Sequence, residues 1–132
     1  HFKLVDVLTA AENIVLGLEG GIKVNRKEVN KKVSELASKY GFELDPTKKI
    51  YNMSVSEKQT VEIIKVLYRG ADILILDEPT RNFSPLSGPV IRDMLKGFGG
   101  TILTISHDRK YIHEVCDVVY ELTKDGLLQW KN

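Results

Sequence analysis

Two neighbouring acids, Asp77 and Glu78, follow four apolar residues in a row, Ile73-Leu-Ile-Leu76. A short apolar run between polar neighbours reads as a strand buried on both faces, and it delivers both carboxylates to the strand's C-terminal end. Adjacent carboxylates at a strand tip suit two jobs: holding Mg²⁺, usually through water, and activating an attacking water. The plainer reading is a strand end whose acids are solvated. Farther along, His107 follows a second apolar run, Thr101-Ile-Leu-Thr-Ile105. Its imidazole can donate a hydrogen bond whether neutral or charged, although a histidine in that place is often a surface or capping residue. Upstream, Met53-Ser54-Val55-Ser56-Glu57 precedes a helical pattern. There Ser54 and Glu57 have the spacing of a capping box that would serve their own helix.

The elements that must position these groups are legible from capping and periodicity. Thr9-Ala-Ala-Glu12 has capping-box spacing and opens a short helix that Gly17 closes. Asn25-Arg-Lys-Glu28 follows the same logic, and Val29, Val33, Leu36, Ala37 and Tyr40 then recur at helical spacing until Gly41. Ser54 or Ser56 starts a third helix whose stripe is Val61, Ile64, Leu67 and Tyr68, ending at Gly70. Pro85 and Pro89 suit a loop and the first turn of a helix with Val90, Ile91, Met94 and Leu95 on its apolar face. Asp108 to Val115 reads as a brief helix. Val118 to Leu122 and Leu127 to Trp130 read as paired strands around Lys124-Asp125-Gly126. Strand, helix, strand, helix with short connections predicts right-handed crossovers and a mainly parallel sheet with flanking helices, an α/β fold with ligands at the strand tips. The chain divides into a helical part, residues 1–70, and a sheet-bearing part, residues 71–132.

Ile73-Leu-Ile-Leu-Asp77-Glu78-Pro79-Thr80 resembles the Walker B motif of ATP-binding-cassette (ABC) ATPases. That resemblance implies Asp77 as the magnesium residue and Glu78 as the general base of ATP hydrolysis. Met53 to Gln59 resembles the family signature LSGGQ, an anion site in which backbone N–H groups at a helix start, here from Ser54, Val55, Ser56 and Glu57, meet the γ-phosphate of ATP held by the opposite subunit. The departures are Met53 for Leu, Val55 and Ser56 for the two Gly, Glu57 for Gln and Thr60 for the later Arg. A side chain at Ser56 obstructs close approach of backbone to phosphate. Thr104-Ile-Ser-His107-Asp108 is similar to the switch-histidine segment, which makes His107 the γ-phosphate and water contact. Thr80-Arg-Asn-Phe-Ser84 stands where the family has its D-loop, with Ser84 in place of the usual Asp. His1, Phe2 and Leu8 to Asn13 look like the stretch after the family's Q-loop glutamine, which falls immediately before His1.

The resemblance implies a partial P-loop NTPase fold: a helical, signature-bearing subdomain, then the Walker B and switch-histidine part, with the first strands and the phosphate-binding loop absent. Gly20-Gly21 and Gly97-Phe-Gly-Gly100 are not followed by Lys-Ser or Lys-Thr. Without such a loop little holds the phosphates in cis, so the chain by itself is expected to be catalytically inactive, with ATP and Mg²⁺ belonging to the complete domain. Residues 1–79 look like ATPase subunits of sugar or nucleoside importers. From Thr80 onward the chain is more similar to the soluble ABC-F ribosome-associated ATPases, with Asp77-Glu-Pro-Thr80 a natural join for a chimera. The importer resemblance implies a second ATPase domain and a membrane permease as partners, no nucleic acid, and a cytoplasmic location at the inner face of the cell membrane. The ABC-F alternative implies the ribosome. A third reading is a non-catalytic binding or dimerising module, and strands without neighbours are expected to make the isolated chain self-associate.

Bulk composition agrees with one globular unit. Of 132 residues, 42% are hydrophobic, enough for one core and too little for two. Nineteen basic residues against eighteen acidic ones give a net charge of +1, which excludes a global field that would draw nucleic acid or anionic lipid. Cys116 is the only cysteine, so no internal disulfide forms and a small buried hydrophobe in a reducing compartment is expected. His113, Tyr111 and Tyr120 read as packing or surface residues. No apolar run approaches the roughly 20 residues needed to cross a bilayer.

Overall fold

A computed structural model describes residues 3–18 and 25–130. The readings on His1, Phe2 and Gly20-Gly21 lie outside the described residues. In chain order the elements are α1 (Ala10–Val15), α2 (Arg26–Lys39), a 3₁₀ turn (Ile50–Asn52), α3 (Val55–Tyr68), β1 (Ile73–Asp77), α4 (Gly88–Lys96), β2 (Thr101–Ile105), α5 (Arg109–Val115), β3 (Val119–Thr123) and β4 (Gly126–Trp130).

The first helix begins where Thr9 and Glu12 close a reciprocal capping box, as their spacing predicts. Helix α3 begins with the same device between Ser54 and Glu57, which settles Ser54 as the start. Asn25 instead caps α2 through the Lys27 amide, and Glu28 makes no box; it turns to Lys32 one helical turn on. An Asn cap reaches the second amide with its short side chain, which leaves Glu28 free to pair along the helix. Gly41, with φ +77, carries the chain out of α2 through a left-handed turn.

The apolar stripes of these three helices face one another: Ala10, Ala11 and Ile14, Val29, Val33 and Ala37, and Val61 and Ile64 are buried together with Ile50. Asn13 is fully buried among them, yet satisfied. Its Oδ1 accepts from the Val5 amide at 2.7 Å and its Nδ2 donates to the Val5 and Thr9 carbonyls, which pins the leading segment to α1.

Strands β1 and β2 pair in parallel, from Ile73 with Thr101 to Asp77 with Ile105. The pairing starts where the Thr101 amide donates to the Asp72 carbonyl at 2.8 Å. Gly100 permits this approach, because a Cβ there would lie 2.2 Å from that carbonyl oxygen. Pro89 stands in the first turn of α4, as expected. Leu74 joins Ile91, Met94, Leu95 and Tyr111 in the same continuous core.

One expectation about the sheet needs correction. The apolar runs are not buried on both faces: Ile73, Ile75, Leu103 and Ile105 remain 62–78% exposed. An apolar run records what a strand is built to bury, but the covering layer on one face is not supplied by the described residues. The parallel pairing of β1 with β2 is as expected, and so is the closing pair of strands around Lys124-Asp125-Gly126. β3 and β4 form their own antiparallel hairpin, hydrogen-bonded to neither β1 nor β2. Its exposed residues include Leu122, Leu127, Leu128 and Trp130. Tyr111 is a core residue with no exposure, Tyr120 is exposed, and Cys116 is half-buried against the core, where burial pushes its thiol pKa up.

Candidate functional site

The parallel pairing of β1 and β2 brings the two strand tips side by side. Asp77 ends β1, and the Glu78 amide donates to the Ile105 carbonyl at 2.9 Å, which continues the ladder one residue past the strand. Glu78 then turns sharply with φ +46, the one non-glycine residue with positive φ among the described residues. A left-handed backbone costs an L-residue about 1–2 kcal/mol, so the surrounding bonds must hold it. They aim the carboxylate across to the β2 tip: Oε1 accepts from the His107 amide at 3.1 Å, and the His107 Nε2 lies 3.7 Å from the same oxygen. The imidazole is 94% exposed and the Glu78 side chain 21%, so the ring faces solvent over a partly shielded acid.

Behind this pair, Asp108 caps α5. Its Oδ1 accepts from the Lys110 and Tyr111 amides, and its Oδ2 accepts from the Thr80 hydroxyl at 2.8 Å. The Tyr111 amide, and after it the Thr80 hydroxyl, holds the Asp108 carboxyl below the usual carboxylate range. Farther out, Arg92 on α4, 8% exposed, meets Glu114 on α5 with its Nε 2.6 Å from the carboxylate, tying the two helices together.

Asp77 is exposed at the strand tip, and no hydrogen bond or ion pair takes its carboxylate among the described residues. No cluster of three or more His, Cys, Asp or Glu side chains assembles a metal cage among them either. A free carboxylate beside a second one fits a cation that keeps most of its ligands as water and phosphate oxygen, which is the habit of Mg²⁺.

The segment Ser54 to Glu57 stands apart from this group: no hydrogen bond or ion pair among the described residues links it to Asp77, Glu78 or His107. Ser54 Oγ accepts from the Glu57 amide, Glu57 accepts from the Ser54 amide at 2.7 Å, and the Ser54 and Ser56 hydroxyls lie 3.1 Å apart. Lys48 reaches the Glu57 carboxylate at 2.6 Å and lowers its pKa more than any other neighbour. The helix start therefore satisfies part of its own donor set, while Val55 is half exposed. Ser84 bonds within its own turn, to the Ser87 hydroxyl and amide.

Sequence reasoning thus named Glu78 and His107, which are in contact, and Asp77 beside them. It missed the Thr80 to Asp108 bond and the Lys48 partner of Glu57. Both depend on proximity between distant segments and leave no local pattern.

A parallel strand pair thus carries the acids and the imidazole at its C-terminal tips, with a helical layer before it in the chain. The ABC transporter family model matches residues 1–81, and the chain belongs to that family. Among similar proteins, the nucleoside import ATP-binding protein NupA of Lactococcus lactis is 43% identical over 122 residues, covering 89% of this chain and 24% of its own length. The guanosine import ATP-binding protein NupO of Bacillus subtilis is 40% identical over 129 residues, covering 94% of this chain and 25% of its own length. The chain spans about a quarter of the length of these relatives. Among solved structures, cbiO1 from Clostridium perfringens, part of the ABC transporter complex cbiONQ, superposes with a TM-score of 0.74 at 27% identity, over 96% of this chain and 52% of that one. An ATP-binding cassette solved as a dimer in a post-hydrolysis state with ADP and Pi gives a TM-score of 0.72 at 26% identity, over 86% and 52%.

Proposed function

We propose that this chain is the signature, Walker B and switch-histidine portion of an importer-type ABC ATPase, whose hydrolysis of ATP drives a membrane permease. The observation that carries the reading is the contact between Glu78 and His107 across the tips of two parallel strands. In this reading Asp77 would hold Mg²⁺, which would supply charge neutralisation at the phosphates, Glu78 would take the proton of the attacking water, and His107 would donate to the γ-phosphate. Positioning supplies most of phosphoryl-transfer catalysis, which suits a site whose acid is fixed by its backbone and by a neighbouring amide.

Ser54, Val55, Ser56 and Glu57 are assigned to the nucleotide of an opposing ATPase domain. That no hydrogen bond or ion pair among the described residues joins them to Glu78 suits that assignment. Residues 1–70 form the helical subdomain and 71–132 the part of the ATPase core; mutual packing of α1, α2 and α3 supports the division. The importer relatives match on both sides of Asp77-Glu-Pro-Thr80, which favours an importer parent over an ABC-F parent or a join of the two. None of the described helices is long and apolar enough to cross a membrane, and attachment at the inner face of the cell membrane is assigned to the permease.

The test is E78Q in the full-length ATPase that carries these residues. ATP turnover should fall by about a hundredfold or more while ATP binding persists. Turnover within about twofold of wild type would overturn the assignment of Glu78.

A further inference from the structure

We propose that Thr80 and Asp108 form a latch that positions the catalytic pair, with the Thr80 hydroxyl on the Asp108 carboxylate locking the loop after β1 to the start of α5. The inference rests on the reading of Glu78 and His107 given above.

Two hydrogen bonds run in opposite senses between the same two short segments. The His107 amide donates to the Glu78 carboxylate, and the Thr80 hydroxyl donates to the Asp108 carboxylate. Residues 78–80 and 107–108 are thereby held at two points, which fixes rotation as well as separation. The Glu78 amide on the Ile105 carbonyl fixes the start of the loop, and the Thr80 bond fixes its far end. Asp108 is itself immobile, because its other oxygen caps α5 through two amides and the Ser106 hydroxyl accepts from its own amide. Thr80 is half-buried, so its hydroxyl has little water to compete for it. The loop it anchors contains the strained Glu78, whose left-handed backbone would relax if the following residues were free.

Thr80 and Asp108 touch no reacting atom in this arrangement and are positioning residues. Loss of the latch is expected to leave nucleotide affinity intact and to impair the step that needs Glu78 and His107 in register. Asp108 also serves α5, and the variants separate the two roles. Because an amide at position 108 could still donate to the Thr80 hydroxyl, the latch is broken from the Thr80 side, which leaves the Asp108 cap in place. T80V removes the hydroxyl at constant shape, and T80S restores it.

The experiment has two arms. In the 132-residue chain, amide hydrogen exchange at His107 should accelerate by about tenfold in T80V, with T80S like wild type and amides of α3 such as Ile64 unchanged. In the full-length ATPase, T80V should lower kcat by about tenfold with KM unchanged, and T80S should recover it. Unchanged His107 exchange in T80V overturns the latch outright. Faster exchange with kcat unaffected, in a background where E78Q is inactive, overturns its role in positioning. If E78Q remains active, the site reading fails instead, and the exchange arm alone judges the latch.

Discussion

Glu12, Glu57 and Asp108 each have a carboxyl held below its ordinary range, the first chiefly by the Thr9 amide, the second by Lys48 and the third by the Tyr111 amide. A folded pKa below the unfolded one stabilises the fold above the unfolded value, and that contribution is lost as pH falls through the folded value. The affected window therefore lies below the ordinary values of 4.5 for Glu and 3.8 for Asp. K48M removes the largest cause at Glu57, so its melting temperature should fall below wild type at neutral pH and converge on it as pH drops toward about 3. Parallel pH–melting curves for the two proteins would show that the Lys48 contact has no such effect. Both side chains are about a third exposed, so the neutral-pH difference should be small, about 0.5 kcal/mol. The capping residues weigh more: T9A and S54A should each cost about 1 kcal/mol in denaturant unfolding, because each leaves helix amides unpaired.

The elements differ in how much of them the sequence disclosed. Reciprocal boxes at Thr9 and Ser54 were legible because both partners lie within one turn. The box expected at Asn25 failed because Asn can cap without Glu28, and Glu28 had Lys32 within reach. The run Ile73 to Leu76 announced a strand but not how many faces it would bury, since covering layers come from outside the element. Glu78 was legible as an acid after a strand, whereas its left-handed backbone was not, because no glycine or asparagine marks the turn. The join between strands is equally hidden. Gly100 looks like one glycine of a loop, yet its missing Cβ lets the Asp72 carbonyl approach and start the β1–β2 ladder. G100A should destabilise the chain by about 1–3 kcal/mol, since overpacking against backbone leaves no flexible side chain to yield. Denaturant unfolding that matches wild type would contradict this.

Across the whole molecule, a continuous core joins the helical layer to the strand pair, while one face of that pair stays open. Burying such a face stabilises by roughly 25 cal/mol per Å² of apolar surface, so the isolated chain should associate at micromolar concentration through Ile73, Ile75, Leu103 and Ile105. Sedimentation of wild type against I75E/L103E tests this, and identical oligomer distributions would exclude the face. The 132 residues contain no glycine-rich phosphate loop, so a Mg-ATP titration of this chain should show no micromolar affinity. Glu78 ties chemistry to global stability in a further way. Its handed backbone means that the most comfortable residue there is glycine, and E78G should melt about 4 °C above E78A, two variants equally deprived of the carboxylate. The acid therefore stands where glycine would be more comfortable, and the fold carries its carboxylate at a cost in thermal resilience.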